Sequence, residues 1–267
     1  MKKKFKLSNL YLIFVFVVLY APIFYLMFYS FNEGGTMYDF TEFTWDWYVV
    51  LFEDTRLLII VLNTFIIALL SAALSTVLGA IGALAIWYVK KNYTKNLLLS
   101  LNNVLIVSPD VVIGASLLIM FTFLGIKLGF TSVLLAHIAF SVPIVVLMVL
   151  PKLNEMSPSL VDAARDLGAN NWNVLSKVIL PYITPGIFAG FFMALTYSLD
   201  DFAVTFFVTG NGFSTLSVEI YSLARRGVQL NINALSTLLF LFTILLVIIY
   251  YFISKRNARP TGLEARK

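Results

Sequence analysis

Three carboxylates interrupt apolar runs in this chain: Asp110 in "IVSPDVVIG", and the adjacent Asp200 and Asp201 in "TYSLDDFAVTFF". Near the centre of a bilayer an acid costs about 2.5–3.5 kcal/mol on insertion scales, so it needs a wet cavity, a pairing cation or hydrogen-bond donors. Carboxylates in a low-dielectric setting attract cations and repel anions, which suits a cation pathway and would serve an anion such as sulfate badly. Tyr197, Asp201 and Thr205 recur at i, i+4 on one helical lane, beside a lane of Gly186, Gly190, Ala194 and Ser198. The small lane is a packing seam and the other a polar track; an aromatic ring beside an acid can also hold an ammonium through its face. Trp45 and Trp47 of "FTWDWY" offer the same chemistry closer to the N-terminus, or form an interfacial aromatic belt. Other readings of the acids stay open: pairing with Arg225 or Arg226, capping a helix break, or relaying protons. Pro109, which lacks a backbone donor beside Asp110, is expected to break its helix and open a cavity there.

Other chemistry is missing. With no cysteine and a single histidine, thiolate and imidazole metal sites are not expected. His137, in "LLAHIAF", is expected to be a hydrogen-bonded packing residue. No G-x-x-x-x-G-K-[ST] occurs, so ATP would be bound by a partner and no cofactor is expected here. Neither G-x-S-x-G nor H-E-x-x-H is present. The chain is expected to be no enzyme by itself.

The elements that must position these residues follow from composition. Of 267 residues, 60% are hydrophobic and 12% charged, about half the charge of a soluble domain; the mean hydropathy is +0.90. The surplus apolar surface must face lipid. Six stretches are long enough to cross the membrane as helices: about 10–31, 58–89, 101–124, 131–150, 185–208 and 234–254. The second is long enough to tilt or project. Fifteen of the 19 Lys and Arg fall on one side of this arrangement, in the N-terminus, loops 90–100 and 151–184 and the tail, against Arg56, Lys127, Arg225 and Arg226 on the other. The positive-inside rule then puts both termini in the cytoplasm of a multi-pass protein of the cell membrane, with lipid rather than nucleic acid as the partner of its net charge of +5. A basic segment 1–9, one polytopic domain 10–257 and a basic tail 258–267 are expected.

One cytoplasmic segment stands out as polar: "SPSLVDAARDLGANNWNVLSKVILP". Ser157 can cap a helix with Pro158 at its first position. Leu160, Ala163, Ala164 and Leu167 form an apolar stripe opposite Asp162, Arg165 and Asp166, and Gly168 supplies a left-handed stop. Asn171 is expected to cap a second helix that Pro181 closes. With one basic residue in its first helix, the segment suits a protein partner better than the inner leaflet.

The stretch "DAARDLGANNWNVLSKVILP" resembles the signature loop of the permease subunits of bacterial ABC importers: Glu-Ala-Ala, three residues, Gly, nine residues, Ile, one residue, Leu-Pro. Ala163, Ala164, Gly168, Leu180 and Pro181 match; Asp162 stands for the Glu and Val178 for the Ile. The runs "SPDVVIG", "SLDDFAVTFF" and "ARRGVQLNINALST" are similar to permeases of spermidine/putrescine importers. The resemblance implies an all-α membrane fold of six transmembrane helices with type I importer architecture and a cytoplasmic coupling helix. It also implies a paralogous permease completing a heterodimer, a cytoplasmic ABC ATPase dimer gripping the 160–181 loop, and an extracytoplasmic binding protein that delivers polyamine. A permease of the same fold for another cationic solute and a proton-coupled carrier are the alternatives.

Overall fold

The computed structural model describes residues 7–226 and 230–257. The lysines of segment 1–6 and the tail 258–267 lie outside the described residues. In chain order the helices are α1 Leu7–Tyr29, α2 Asp46–Glu53, α3 Thr55–Tyr88, α4 Asn92–Val107, α5 Asp110–Phe123, α6 Phe130–Glu155, α7 Pro158–Asp166, α8 Asn171–Val174, α9 Leu180–Asp200, α10 Ala203–Val208, α11 Leu216–Arg226 and α12 Leu230–Asn257. A π-turn, Leu175–Ile179, joins α8 to α9. Among the described residues the only β-pairing is a single bridge between Asn32 and Phe43.

Four helical runs are long and apolar enough to cross a membrane: Leu10–Tyr29, Thr55–Tyr88, Phe130–Glu155 and Asn171–Asp200. A fifth appears if α4 and α5 count as one span, although they meet at 104°. The span read at 101–124 is an elbow of two helices rather than one continuous helix. Pro109 forbids the helical conformation at Ser108, whose ψ is 139°, and the chain restarts as α5 at Asp110. The break expected at Pro109 is present. At 34 residues, α3 extends ~51 Å, well beyond the ~30 Å hydrocarbon core.

Two expectations for the polar segment need correction. The cap of α8 is Asn170, whose side chain accepts from the Asn173 N–H at 2.8 Å; Asn171 is already helical. Pro181 does not end the second helix. Upstream of it the π-turn inserts an extra residue, so the Leu180 N–H bonds to the Leu175 carbonyl, five residues back. The opened ladder accommodates the proline ring, and Leu180 stays helical. The run 171–200 is thus continuous from the polar segment to the Asp200–Asp201 pair.

The chain separates into two compact units, one of residues to Leu58 with those from Ser222 onward, the other Ile59–Tyr221. In the first, α1 and α12 meet through Tyr20, Phe24 and Phe240. The loop after α1 is organised by Asn32, whose amide donates to the carbonyls of Thr36 and Asp39, and whose oxygen accepts from the Thr41 N–H, all at 2.8 Å.

In the second unit α6 is the hub. A Cβ added at Gly79 of α3 would lie 2.6 Å from Val145 Cβ; one at Gly190 of α9 would lie 3.1 Å from Val145 Cγ1. At Gly186 it would meet the Met148 carbonyl at 3.0 Å. Two glycine seams thus converge on one stretch of α6, and Ser71, Ser75, Ala83, Ala194 and Ser198 are buried along them. The small-residue lane Gly186, Gly190, Ala194 and Ser198 read in the sequence is a packing seam, and Ser71, Ser75, Gly79 and Ala83 of α3 form a second, as membrane helices without a hydrophobic drive to associate require. Gly114 does the same for α5 against α10, where an added Cβ would sit 3.0 Å from Val204 Cα.

Candidate functional site

The polar lane Tyr197, Asp201 and Thr205 does not survive as one track. Helix α9 ends at Asp200; Asp201 is extended (φ −64°, ψ 121°), and α10 begins at Ala203. This break turns neighbouring side chains to opposite sides.

On the open side, the Tyr197 hydroxyl donates to Asp110 Oδ1 at 3.0 Å, joining two residues 87 positions apart. Both are exposed, as is Asp200. Asp110 is the first residue of α5, where its charge meets the positive end of the helix dipole. Phe140 packs edge-on against the Tyr197 ring at 5.2 Å between centroids, fixing its direction. The result is an acid with a free lone pair beside an aromatic face, with a second acid one turn away along α9. Such a group attracts an ammonium ion by charge, hydrogen bond and ring face together.

On the inner side, Asp201 is 8% exposed and acts as a helix cap. Its carboxylate accepts from the Val204 N–H at 3.3 Å, the Thr205 N–H at 2.8 Å and the Thr205 hydroxyl at 2.6 Å. His137, fully buried on α6, joins this cap: Nε2 lies 2.8 Å from Thr205 Oγ1 and 3.6 Å from Asp201 Oδ2, and Nδ1 lies 2.6 Å from Ser198 Oγ. Ser71 of α3 donates to Ser198 at 3.0 Å. The Asp201 carboxylate can only accept, so Thr205 donates its hydroxyl hydrogen to it and is left to accept from Nε2. The Ser71 hydroxyl also lies 3.2 Å from the Ala68 carbonyl of its own helix.

The expectation that His137 is a hydrogen-bonded packing residue holds. Its link to Asp201 was missed, because the two lie 64 positions apart and only the fold brings them together. The alternative reading of these acids, capping a helix break, holds for Asp201, which accepts from the first turn of α10. Ser198, Asp201 and Thr205 therefore lie inside the fold, while Asp110, Tyr197 and Asp200 face outward.

The two tryptophans also differ from each other. Trp47 donates its indole N–H to the Asn32 carbonyl at 2.7 Å and braces the first loop. Trp45 is 59% exposed in a cluster with Phe31, Phe43 and Tyr48.

In the polar segment Ser157 occupies the capping position of α7, but its hydroxyl pairs with Ser159 at 2.7 Å. Gly168 has φ +84°, and beyond it the Ala169 N–H bonds back to the Ala164 carbonyl at 3.0 Å, the left-handed stop read from the sequence. The residue that α7 buries is Val161; Ala164 and Leu180 are half-buried, and Asp162, Ala163, Arg165, Asp166, Gly168 and Pro181 are exposed. Leu167 and Trp172 are 89% and 70% exposed. The expected apolar stripe thus points mostly away from the fold.

Residues 75–260 match the family described as the binding-protein-dependent transport system inner membrane component. The chain is 35% identical to the spermidine/putrescine transport system permease protein PotC of Haemophilus influenzae, over 95% of this chain and 98% of that one. It is 34% identical to the putrescine transport system permease protein PotI of Escherichia coli K12, over 84% and 82% of the two chains. Among solved structures, a chain of a bacterial ABC transporter that imports the acidic polysaccharide alginate superposes with a TM-score of 0.72 at 17% identity, over 95% of both chains. Inward-facing MetNI methionine transporter chains superpose with a TM-score of 0.58 at 18% identity, over 77% of this chain and 96% of that one. This chain belongs to the binding-protein-dependent transport system inner membrane component family and is a membrane permease subunit rather than an enzyme.

Proposed function

We propose that the chain is one of two permease subunits of an ATP-driven importer of polyamines, spermidine or putrescine, and that cargo passes the outward-facing group Asp110, Tyr197 and Asp200. The observation that carries this reading is the exposed acid–phenol pair set among apolar helices, in a chain whose relatives are named for polyamines. Two acids exposed at membrane depth cannot face lipid, so this side of the chain borders water or a second subunit. Separate carboxylates match the separate ammonium groups of a polyamine, and the Tyr197 ring covers the methylenes between them.

Completing the six spans takes the bent pair α4–α5 as the third and α12 as the last, with both termini in the cytoplasm. In that orientation the polar segment α7–α8 is cytoplasmic. Leu167 and Trp172 present apolar surface there, the chemistry of a docking face. Asp162, Ala163, Ala164, Arg165, Asp166 and Gly168 form its rim, and Leu180 and Pro181 lead into α9. A push on this face travels along the continuous run 171–200 to the break at Asp201. The motor is a separate ABC ATPase dimer; a paralogous permease supplies the other half of the pathway, and an extracytoplasmic binding protein delivers polyamine. Alternating access then exposes the acid group to one side and the other. Trp45 belongs to the outer surface in this arrangement, where cargo arrives.

The test is uptake of labelled spermidine and putrescine into liposomes bearing the assembled complex, with ATP on the motor side. Uptake that requires ATP and rises in half-saturation concentration with Asp110→Asn supports the reading. Uptake driven by a proton gradient without the ATPase overturns it. Leu167→Ala/Trp172→Ala should cut the binding of the ATPase to the permease pair; retention of full binding removes the docking assignment.

A further inference from the structure

Helix α4 buries none of its side chains, and beyond its all-polar first turn one lane stays polar along its length. Asn92, Asn96, Ser100 and Asn103 follow at intervals of four, four and three, which at 100° per residue keeps them within an arc of ~80°. All four are exposed, and none makes a side-chain hydrogen bond within the described residues. The neighbouring Asn102, in contrast, donates to the Pro143 carbonyl of α6 at 3.3 Å and anchors the helix. A groove of about 580 Å³ opens along Ser100, Asn103, Val104, Val107, Ser108 and Pro109. It ends at the elbow, where the next residue is Asp110. The one charged residue of α4, Lys95, lies on the adjacent half-buried side.

We infer that this amide and hydroxyl ladder is the release track for polyamine on the cytoplasmic side of the acid group, an inference that rests on the function proposed above. Successive rungs rise ~4.5–6 Å, similar to the separation of ammonium groups across three or four methylenes. Neutral oxygen acceptors replace the hydration of an ammonium without the full attraction of a carboxylate, so each rung holds cargo weakly enough to pass it on. Unpartnered amides facing hydrocarbon are unfavourable, which removes lipid as the occupant of the inner part of the groove. The groove's end at Pro109, next in the chain to Asp110, favours cargo over a partner helix.

The chain contains no cysteine, so Ser100→Cys and Asn103→Cys each give one thiol on this subunit, read on its separated band after labelling of the assembled complex. Labelling by methanethiosulfonate ethylammonium is expected from the aqueous phase, slowed about fivefold or more by spermidine. In transport, Ser100→Ala/Asn103→Ala is expected to lower maximal uptake about tenfold, the loss of two weak hydrogen bonds at the barrier, with unchanged half-saturation and unchanged co-purification of the other permease. Asn103→Gln should restore most of the rate. Labelling that spermidine does not slow, or loss of the second permease with the double variant, overturns the track. The two readings fail differently. If the wild-type complex carries no polyamine, both fall; if it does and Asp110→Asn raises half-saturation while the ladder variants transport normally, only the track falls.

Discussion

Asp110 and Asp201 share a side-chain chemistry and differ in everything around it. Asp201 is buried, with two backbone N–H groups and a hydroxyl donating to its oxygens and His137 behind them. Asp110 is exposed and has a single phenol donor. A carboxylate whose acceptor sites are filled from within holds the backbone together and has little left to offer a passing cation. One with open lone pairs beside an aromatic ring can bind and release. The comparison teaches that an acid in an apolar segment is not by itself a cargo ligand; what decides is whether the chain's own donors have already neutralised it.

The sharpest way to break this comparison is Asp201→Ala. It strips the cap from α10 and leaves buried donors unpaired, a loss of about 2–4 kcal/mol that should appear as a large fall in thermal stability and yield of the complex. If stability is untouched and only transport is lost, Asp201 is a cargo ligand and the two acids are alike. Next in size is His137→Ala, expected to cost about 2–3 kcal/mol in the same measurement by orphaning Ser198 and Thr205. His137→Gln, which can both donate and accept, should recover about half. Gly79→Ala sharpens the contrast from the packing side. Its methyl would enter Val145 at 2.6 Å, so a loss of about 1–3 kcal/mol in stability is expected, with half-saturation for polyamine unchanged.

On the open side the effects belong to transport alone. Asp110→Asn should raise half-saturation about tenfold or more, as expected for one lost charge-assisted contact, while thermal stability and assembly stay at the wild-type level. Tyr197→Phe is the smallest change: it removes the hydroxyl and keeps the ring, and a two- to fivefold rise is expected. Were Asp110→Asn to unfold the complex, the exposed acid would be structural too.

Much of this was legible in the sequence, because it depends on neighbours a few residues apart. Composition and apolar length mark a membrane protein. The four-residue recurrence of Gly186, Gly190, Ala194 and Ser198 marks a seam, and Pro109 a break. The Ala163–Ala164–Gly168–Pro181 spacing marks the polar segment, whose glycine stop is where the pattern puts it. Local rules failed where longer-range geometry intervened. Pro181 reads as a helix end, and a π-turn upstream carries the helix through it. Pro109 reads as a break, but the 104° between the two helices it separates is not encoded in it.

The sequence by itself therefore determined the class of the molecule, the placement of its seams and the residue types available for handling a cation. Helical periodicity and hydrophobic length act within a single segment, and need no knowledge of what packs beside it. Which acid is open and which is spent was decided only by tertiary structure. The two-residue break at Asp201 and Phe202 rotates the Asp201 carboxylate toward its own backbone donors, and packing of α3, α6 and α9 delivers Ser71, His137 and Ser198 to the same point. Hydrogen bonds are satisfied by groups that meet in space, and no pattern along the chain encodes that meeting.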